Sequence, residues 1–142
     1  MSKMVFTVTS ENDTIKKSIE FAKLINYKGI ILLSGELGAG KTTFCRGIIK
    51  SLKKNLIVNS PTFTLINEYC INTQKIYHID LYRIEENSFS ELPLNDIINE
   101  KHSLILIEWG EKILNYIKNY YLITFNFINT NQRSITIEKI DN

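Results

Sequence analysis

Hydrophobic residues along the chain recur at two spacings, one typical of β-strands and the other of α-helices. Short apolar runs occupy residues 5–8, 29–34 and 104–107, and helical spacing follows the first two runs, over residues 12–26 and 41–54. The run at 104–107 contains only Leu and Ile, which is typical of a strand whose two faces are both covered by helices. The pattern therefore predicts an α/β fold.

Two further pairs of segments have strand-like patterns. Residues 62–70 and 75–83 are separated by a short polar linker, which predicts an antiparallel pair. Residues 121–128 and 134–140 alternate apolar and polar side chains on either side of a polar turn. This second pair predicts a C-terminal β-hairpin.

The pattern between these two pairs is mostly helical, over residues 87–100 and 111–118. Pro93 lies inside the first of these segments and is predicted to divide it. Proline has no N–H to donate, and it biases the residue before it away from helical geometry.

Residues 35–42 read GELGAGKT and match the phosphate-binding pattern G-x-x-x-x-G-K-T. An apolar strand precedes the loop and a helical stretch follows it, which is the setting that this motif requires. Lys41 can reach the β- and γ-phosphates of a nucleotide, and the Thr42 hydroxyl can ligate Mg²⁺. The alternative, a glycine turn that happens to end in Lys-Thr, does not account for this setting.

Taken with this loop, the order of elements predicts one domain over residues 1–142. The predicted class is α/β: a three-layer P-loop NTPase-like domain whose central sheet is mixed but mostly parallel, with the C-terminal β-hairpin added to it. Such a domain is small for this class, which suggests that a partner completes it.

Composition narrows the range of functions only slightly. The net charge of +2 and the scattered lysines do not call for a nucleic-acid partner. No apolar run has the length of a membrane span and the N-terminus has no signal-like apolar region, so a cytoplasmic protein is expected. Cys45 and Cys70 form no metal or redox motif and are predicted to be small buried residues.

Two acidic residues follow apolar strands and are candidates for the Mg²⁺ side of the site. Glu108 ends the fully aliphatic run and is predicted to act through a metal-bound water, although it could instead cap the following helix. Asp80 could support the water shell of the metal or orient an attacking water, or it could simply pair with Arg83. His78 shares the face of Asp80 and is predicted to be a structural residue.

The segment 60–64 is rich in hydroxyl side chains and includes Thr62. It can be interpreted equally well as a switch loop near the γ-phosphate or as an ordinary turn before a strand. The chain has three arginines, Arg46, Arg83 and Arg133. Nucleotide kinases clamp phosphates with more arginines than this, and the guanine-reading pattern N-K-x-D is absent, so ATP is the expected nucleotide.

Four blocks of the chain together resemble the bacterial TsaE (YjeE) family, the ATPase component of tRNA threonylcarbamoyladenosine synthesis. The blocks are GELGAGKTTF at 35–44, SPTFTLINEY at 60–69, YHIDLYR at 77–83 and LIEWGE at 106–111. One departure concerns Pro93, because the family usually has glycine in the corresponding ELGL segment. Proline cannot supply the positive φ that glycine allows, which affects the expected partner contacts there.

The resemblance implies roles for particular residues. Catalysis is assigned to Lys41, Asp80 and Glu108, and the metal to Thr42 and Glu108. The segment 60–64, with Thr62, becomes the switch-like loop. The residues implied to contact ATP are Thr9, Ser10, Gly38, Ala39, Gly40, Lys41, Thr42, Thr43, Thr62, Trp109 and Arg133.

The resemblance also implies partners and cofactors. Proteins of this family use ATP and Mg²⁺, are weak ATPases alone and act on a complex of TsaB and TsaD. TsaD transfers the threonylcarbamoyl group to the adenosine beside the anticodon, so tRNA is reached only through the complex. Two rival functions are an ATP-binding scaffold, in which assembly rather than hydrolysis matters, and a small-molecule kinase, which the low arginine count disfavours.

Overall fold

The structure is a computed structural model that describes residues 2–61 and 65–142. Its strands are β1 (Met4–Val8), β2 (Gly29–Gly35), β3 (Ile66–Ile71), β4 (Gln74–Asp80), β5 (Ser103–Glu108), β6 (Asn119–Phe127) and β7 (Arg133–Asp141). The α-helices are α1 (Glu11–Leu24), α2 (Lys41–Leu52) and α3 (Leu94–Ile98). Two 3₁₀ helices, Glu86–Glu91 and Gly110–Tyr116, complete the set.

All seven strands form one sheet in the order β1-β7-β6-β2-β5-β4-β3. The four central strands, β6, β2, β5 and β4, are parallel to one another. β1, β7 and β3 pair antiparallel at the two sides, and β6 with β7 forms the C-terminal hairpin. The predicted mixed sheet with a parallel centre is confirmed.

Helices cover both faces of this sheet, which gives the predicted three layers. On one face α1 and α2 pack side by side over a core that includes Ile31, Leu33 and Leu106. On the other face α3 and the 3₁₀ helices pack over a second core, around Leu32 and Ile107. Alternate residues of β2 and β5 thus point to opposite cores, as expected for strands that are buried on both sides.

Three local expectations differ from the structure. The segment predicted as helix at 111–118 is a 3₁₀ helix that breaks at Ile113, whose backbone is not helical. The first part of 87–100, up to Glu91, is likewise 3₁₀, and α3 begins only after Pro93, which divides the segment as predicted. Cys45 is buried but Cys70 is exposed, because Cys70 lies on the edge strand β3 and faces away from the core. Residues 62–64, predicted to begin β3, lie outside the described residues.

Among the described residues, no helix combines the length and apolar character needed to cross a membrane.

α1 and α2 approach closely at Gly47, which lies in the buried face of α2. A Cβ added there would lie 2.3 Å from Ser18 Oγ and 3.2 Å from the Cα of Ile15. Because a backbone atom cannot move aside cheaply, the contact requires glycine at this position.

We therefore expect Gly47→Ala to destabilise the protein by about 1–3 kcal/mol through overpacking, although alanine gains roughly 1 kcal/mol of helix propensity. The measurement is urea unfolding followed by circular dichroism. Lys50→Ala, at an exposed position of the same helix, is the control and should change stability by less than about 0.5 kcal/mol. A Gly47→Ala protein as stable as the wild type would contradict the packing argument.

Candidate functional site

The candidate site lies where the carboxyl ends of β2, β5 and β4 meet. In the parallel register Leu33 of β2 lies opposite Glu108, and Glu108 lies opposite Asp80. Parallel α/β sheets bind ligands at this edge. The register therefore brings the two acidic residues to the start of the glycine-rich loop.

The glycine-rich loop joins the end of β2 to the start of α2. Gly40 is the N-cap of α2 with φ 113°, and a Cβ on Gly35 would lie 2.8 Å from the carbonyl oxygen of Phe125. Both positions thus require glycine, for backbone conformation and for space respectively. The first turn of α2 contains no acidic side chain, so the N-terminus of α2 keeps its favourable field for an anion.

The side chain of Lys41 extends back over this loop and is almost fully buried, at 4% exposure. Its Nζ donates hydrogen bonds to the carbonyl oxygens of Gly35 and Glu36 and lies 4.2 Å from the ring centroid of Trp109. Burial lowers the pKa of Lys41, and the nearby carboxylates, Glu108 first, oppose that shift. The ammonium group is therefore held within a partly desolvated, acid-lined site.

Glu108 is buried, and both of its carboxylate oxygens have partners. Thr42 Oγ1 donates to Oε1 at 2.6 Å, and His78 Nε2 lies 2.6 Å from Oε2. A hydroxyl has one hydrogen and two lone pairs. Because the Thr42 hydrogen points to Glu108, its lone pairs are available to a cation.

This donor set fits Mg²⁺, which prefers oxygen ligands. Thr42 and Glu108 are in direct contact, and Asp80 lies on the neighbouring strand at the same level. Cys45, His78 and Glu108 also have potential ligand atoms within 4.8 Å of one another. Burial, however, raises the pKa of the Cys45 thiol, and a neutral thiol is a poor metal ligand.

Asp80 is also buried, and the turn after β4 fixes its side chain. Its Oδ1 accepts a hydrogen bond from the backbone N–H of Tyr82 at 2.9 Å. Lys112 holds the same turn, since its Nζ donates to the carbonyl oxygens of Leu81 and Tyr82 at 2.8 Å each. The choice between a water-orienting and a metal-supporting role for Asp80 stays a prediction.

Trp109, the single tryptophan of the chain, follows Glu108 directly and has left-handed backbone geometry, with φ 59°. Its ring packs against Tyr82 with centroids 5.0 Å apart. With Lys41 also on the ring, Trp109 lies between the loop lysine and the turn after β4. It forms one wall of the cavity described next.

A cavity of about 300 Å³ lies over the start of α2. It brings together the three predicted catalytic side chains and five more of the predicted nucleotide contacts. Those eight lining residues are Lys41, Asp80, Glu108, Gly38, Gly40, Thr42, Thr43 and Trp109. Tyr82 and Glu11, which the sequence did not suggest, also line it.

A second cavity of about 300 Å³ adjoins the first. It contains the remaining predicted nucleotide contacts among the described residues: Thr9, Ser10, Ala39 and Arg133. The two cavities share Glu11, Gly38, Gly40 and Thr43 as lining residues, so they lie side by side, and the two together form the groove. Thr62 lies outside the described residues.

Strand pairing explains how Thr9 and Arg133 reach the same cavity. β1 pairs with β7, and Val8 lies opposite Arg133. The Thr9 hydroxyl donates to Asp13 at 2.7 Å, while Ser10 caps α1 by accepting from the Asp13 N–H. The Arg133 guanidinium lies 4.2 Å from the ring centroid of Phe127 and donates to the Thr130 carbonyl oxygen.

Sequence reasoning underestimated His78. The strand alternation correctly indicated that it shares a face with Asp80, but not that it contacts Glu108 on the next strand. That contact depends on the pairing of β4 with β5, which no local pattern shows.

Fold and site together define a P-loop NTPase-like α/β domain: a parallel-centred sheet, helices on both faces, and a glycine-rich loop between strand and helix at the groove. The model of the family "Threonylcarbamoyl adenosine biosynthesis protein TsaE" matches residues 8–136. The chain belongs to the TsaE family, which confirms the resemblance seen in the sequence blocks.

Individual relatives agree with this assignment. The TsaE protein of Rickettsia typhi is 40% identical over 137 residues, which cover 94% of this chain and 93% of that protein. The TsaE protein of Aquifex aeolicus is 46% identical over 105 residues, covering 72% and 74%. The crystal structure of Bacillus subtilis YdiB matches with a TM-score of 0.80 at 25% identity, over 99% of this chain and 88% of YdiB.

The lowered pKa of Lys41 predicts a pH-dependent contribution to stability. Between its pKa in the folded protein and the ordinary value of 10.5, the unfolded chain binds more protons than the native one, so stability rises with pH. We expect the unfolding free energy of the wild type, relative to Lys41→Met, to increase as pH rises toward 10.5. Urea unfolding over pH 7 to 10.5 measures this difference.

Lys50→Met removes an exposed lysine from the same helix and is the matched control. A difference between wild type and Lys41→Met that stayed flat or fell with pH would show that burial does not disfavour the charge on Lys41.

Proposed function

We propose that this protein is an Mg²⁺-dependent ATPase that supports tRNA threonylcarbamoyladenosine biosynthesis by acting on a TsaB–TsaD complex. Its membership of the TsaE family supports the pathway. The observation that carries the ATPase proposal is the contact between Thr42 and Glu108 inside a groove that also contains Lys41 and Asp80. One cavity thus contains side chains whose chemistry suits a phosphate, a cation and a water molecule.

Each part of the groove has a separate task in this proposal. The backbone N–H groups at the start of α2 and the ammonium of Lys41 bind the phosphates. Thr42 and Glu108 hold Mg²⁺, which when bound would neutralise charge on the β- and γ-phosphates. Asp80, fixed by the Tyr82 N–H, either orients the attacking water or supports the water shell of the metal.

The adjoining cavity suits the nucleoside. Thr9, Ser10 and Arg133 line it together with Gly38, Ala39 and Gly40 of the glycine-rich loop. Because this cavity adjoins the one with Lys41, a nucleoside there can direct its phosphates toward the N-terminus of α2. This arrangement supports the expectation of ATP as ligand.

The need for a partner rests on the scarcity of cationic groups. Lys41 is the only basic side chain among the described residues that line the phosphate cavity. Phosphoryl transfer develops charge that a second cation, often an arginine from a partner, stabilises with a large effect on rate. We therefore propose that hydrolysis is slow in the isolated chain and is stimulated by TsaB and TsaD.

The first test measures phosphate release by the purified chain with Mg²⁺, with and without TsaB and TsaD. We expect stimulation by the partners. Lys41→Ala should weaken ATP binding and abolish turnover. Glu108→Gln should reduce turnover about a hundredfold or more, because that is the scale of losing one electrostatic group at a reacting centre. Its effect on ATP binding should be smaller. Glu108→Gln turning over at the wild-type rate with partners present would refute the metal assignment.

The same experiment separates the ATPase from an ATP-binding scaffold. If the protein is a scaffold, the Glu108→Gln variant should still bind ATP and the partners and still support tRNA modification. If it is an ATPase, the variant should lose tRNA-modification activity in proportion to its loss of ATP hydrolysis.

A second test concerns the nucleoside cavity. We expect Arg133→Gln to weaken ATP binding about tenfold, equivalent to about 1.4 kcal/mol, and to leave the rate at saturating ATP unchanged. The reason is that Arg133 lines the cavity away from Thr42 and Glu108. Calorimetric titration and kcat at saturating ATP measure the two quantities.

Lys139→Gln removes the same charge from an exposed position farther along β7 and is the control. An unchanged affinity in Arg133→Gln would place the nucleoside elsewhere.

A further inference from the structure

A buried histidine, His78, contacts Glu108 without lining the groove. It is fully buried on β4, at 0% exposure, and its Nε2 lies 2.6 Å from Glu108 Oε2. Neither cavity of the groove is lined by His78. Any effect of His78 on a bound nucleotide or cation must therefore pass through Glu108.

The contact is made possible by strand register. Asp80 lies opposite Glu108, so His78, two residues earlier on β4, lies on the same sheet face. That face points to α2, where Thr42 provides the partner of the other carboxylate oxygen. Glu108 is thus held from two sides, by β4 and by α2.

An ionised carboxylate only accepts hydrogen bonds, so with Glu108 in the ionised form that binds a cation this contact requires the proton on Nε2 of His78. The other ring nitrogen, Nδ1, is buried and has no hydrogen-bond partner among the described residues. Burying an unpaired nitrogen is unfavourable, and an aliphatic side chain would fill this position without that cost.

The unpaired Nδ1 therefore argues against a purely space-filling role. The single polar contact that the imidazole makes among the described residues is with Glu108. Carboxylates near metals are commonly held by such outer hydrogen bonds, and removing one typically reduces metal affinity or activity 10–100-fold.

We propose that His78 is a positioning residue that holds Glu108 in the orientation needed for Mg²⁺. The proposal rests on the function proposed above, in that Glu108 is taken as the acid at the metal. His78 does not touch nucleotide or metal. It fixes the second carboxylate oxygen while Thr42 fixes the first.

The test compares His78→Leu, which removes the donor, with His78→Gln, whose terminal amide keeps an N–H at a similar reach. Calorimetry measures the affinity for a non-hydrolysable ATP analogue with Mg²⁺ and with EDTA. We expect His78→Leu to lose about 10–100-fold of the Mg²⁺-dependent gain in affinity and to keep the affinity in EDTA. His78→Gln should recover most of the loss.

Tyr77→Phe is the matched control, since Tyr77 is the adjacent residue on the other face and bonds Glu100 instead. It should leave both affinities unchanged. An unchanged Mg²⁺ effect in His78→Leu, an equal loss with and without Mg²⁺, or no recovery in His78→Gln would overturn the proposal.

A spectroscopic measurement tests the same proposal without any ligand. The chain has two histidines, so His102→Gln leaves His78 as the single imidazole in a ¹H–¹⁵N spectrum. We expect the Nε2-protonated tautomer, and the Nδ1-protonated tautomer would overturn the proposal. If His78→Leu does not fold, this tautomer measurement and the Mg²⁺-dependent affinity of His78→Gln test the positioning role of His78.

Failure of the ATPase proposal would look different. The wild-type chain could bind the nucleotide more tightly with Mg²⁺ and still hydrolyse no ATP in the presence of TsaB and TsaD. That result would refute the ATPase proposal, and the binding measurements would still test the role of His78. A wild-type chain whose nucleotide affinity does not depend on Mg²⁺ would overturn the role of His78, whatever its ATPase rate.

Discussion

The parallel pairing of β2, β5 and β4 is the constraint on which the site depends. All three strands contribute buried aliphatic side chains to the two cores, and their common direction brings their carboxyl ends to one edge of the sheet. One slip of register would turn Glu108 to the opposite face. The aliphatic side chains of two cores set that register, so the hydrophobic effect determines where the acidic side chains of the site lie.

Three charged side chains are buried at this edge: Lys41, Asp80 and Glu108. Burying charges is unfavourable unless they are hydrogen-bonded or paired. Here Glu108 accepts a hydrogen bond from Thr42 and Asp80 accepts one from the Tyr82 N–H, while Lys41 donates to carbonyl oxygens of the loop. The same partial desolvation strengthens the interaction of these groups with a phosphate or a cation.

The groove also shows why the two halves of the chain are both needed. The glycine-rich loop and α1 come from the first half, and Glu108 and Arg133 from the second. Thr42 and Glu108 are 66 residues apart in sequence yet share a hydrogen bond. Arg133 reaches the groove only because β7 inserts between β6 and β1.

The sequence by itself determined what is local or periodic. The glycine-rich loop, the strands at 29–34 and 104–107, the division at Pro93 and the hairpin follow from backbone chemistry and spacing, and the structure agrees. Tertiary structure decided what depends on pairing: the contact of His78 with Glu108, the cavity shared by Thr9 and Arg133, the exposure of Cys70, and the 3₁₀ geometry of Gly110–Tyr116. The physical reason is that propensity and periodicity act over a few residues, whereas these features arise from which strands become neighbours in the sheet.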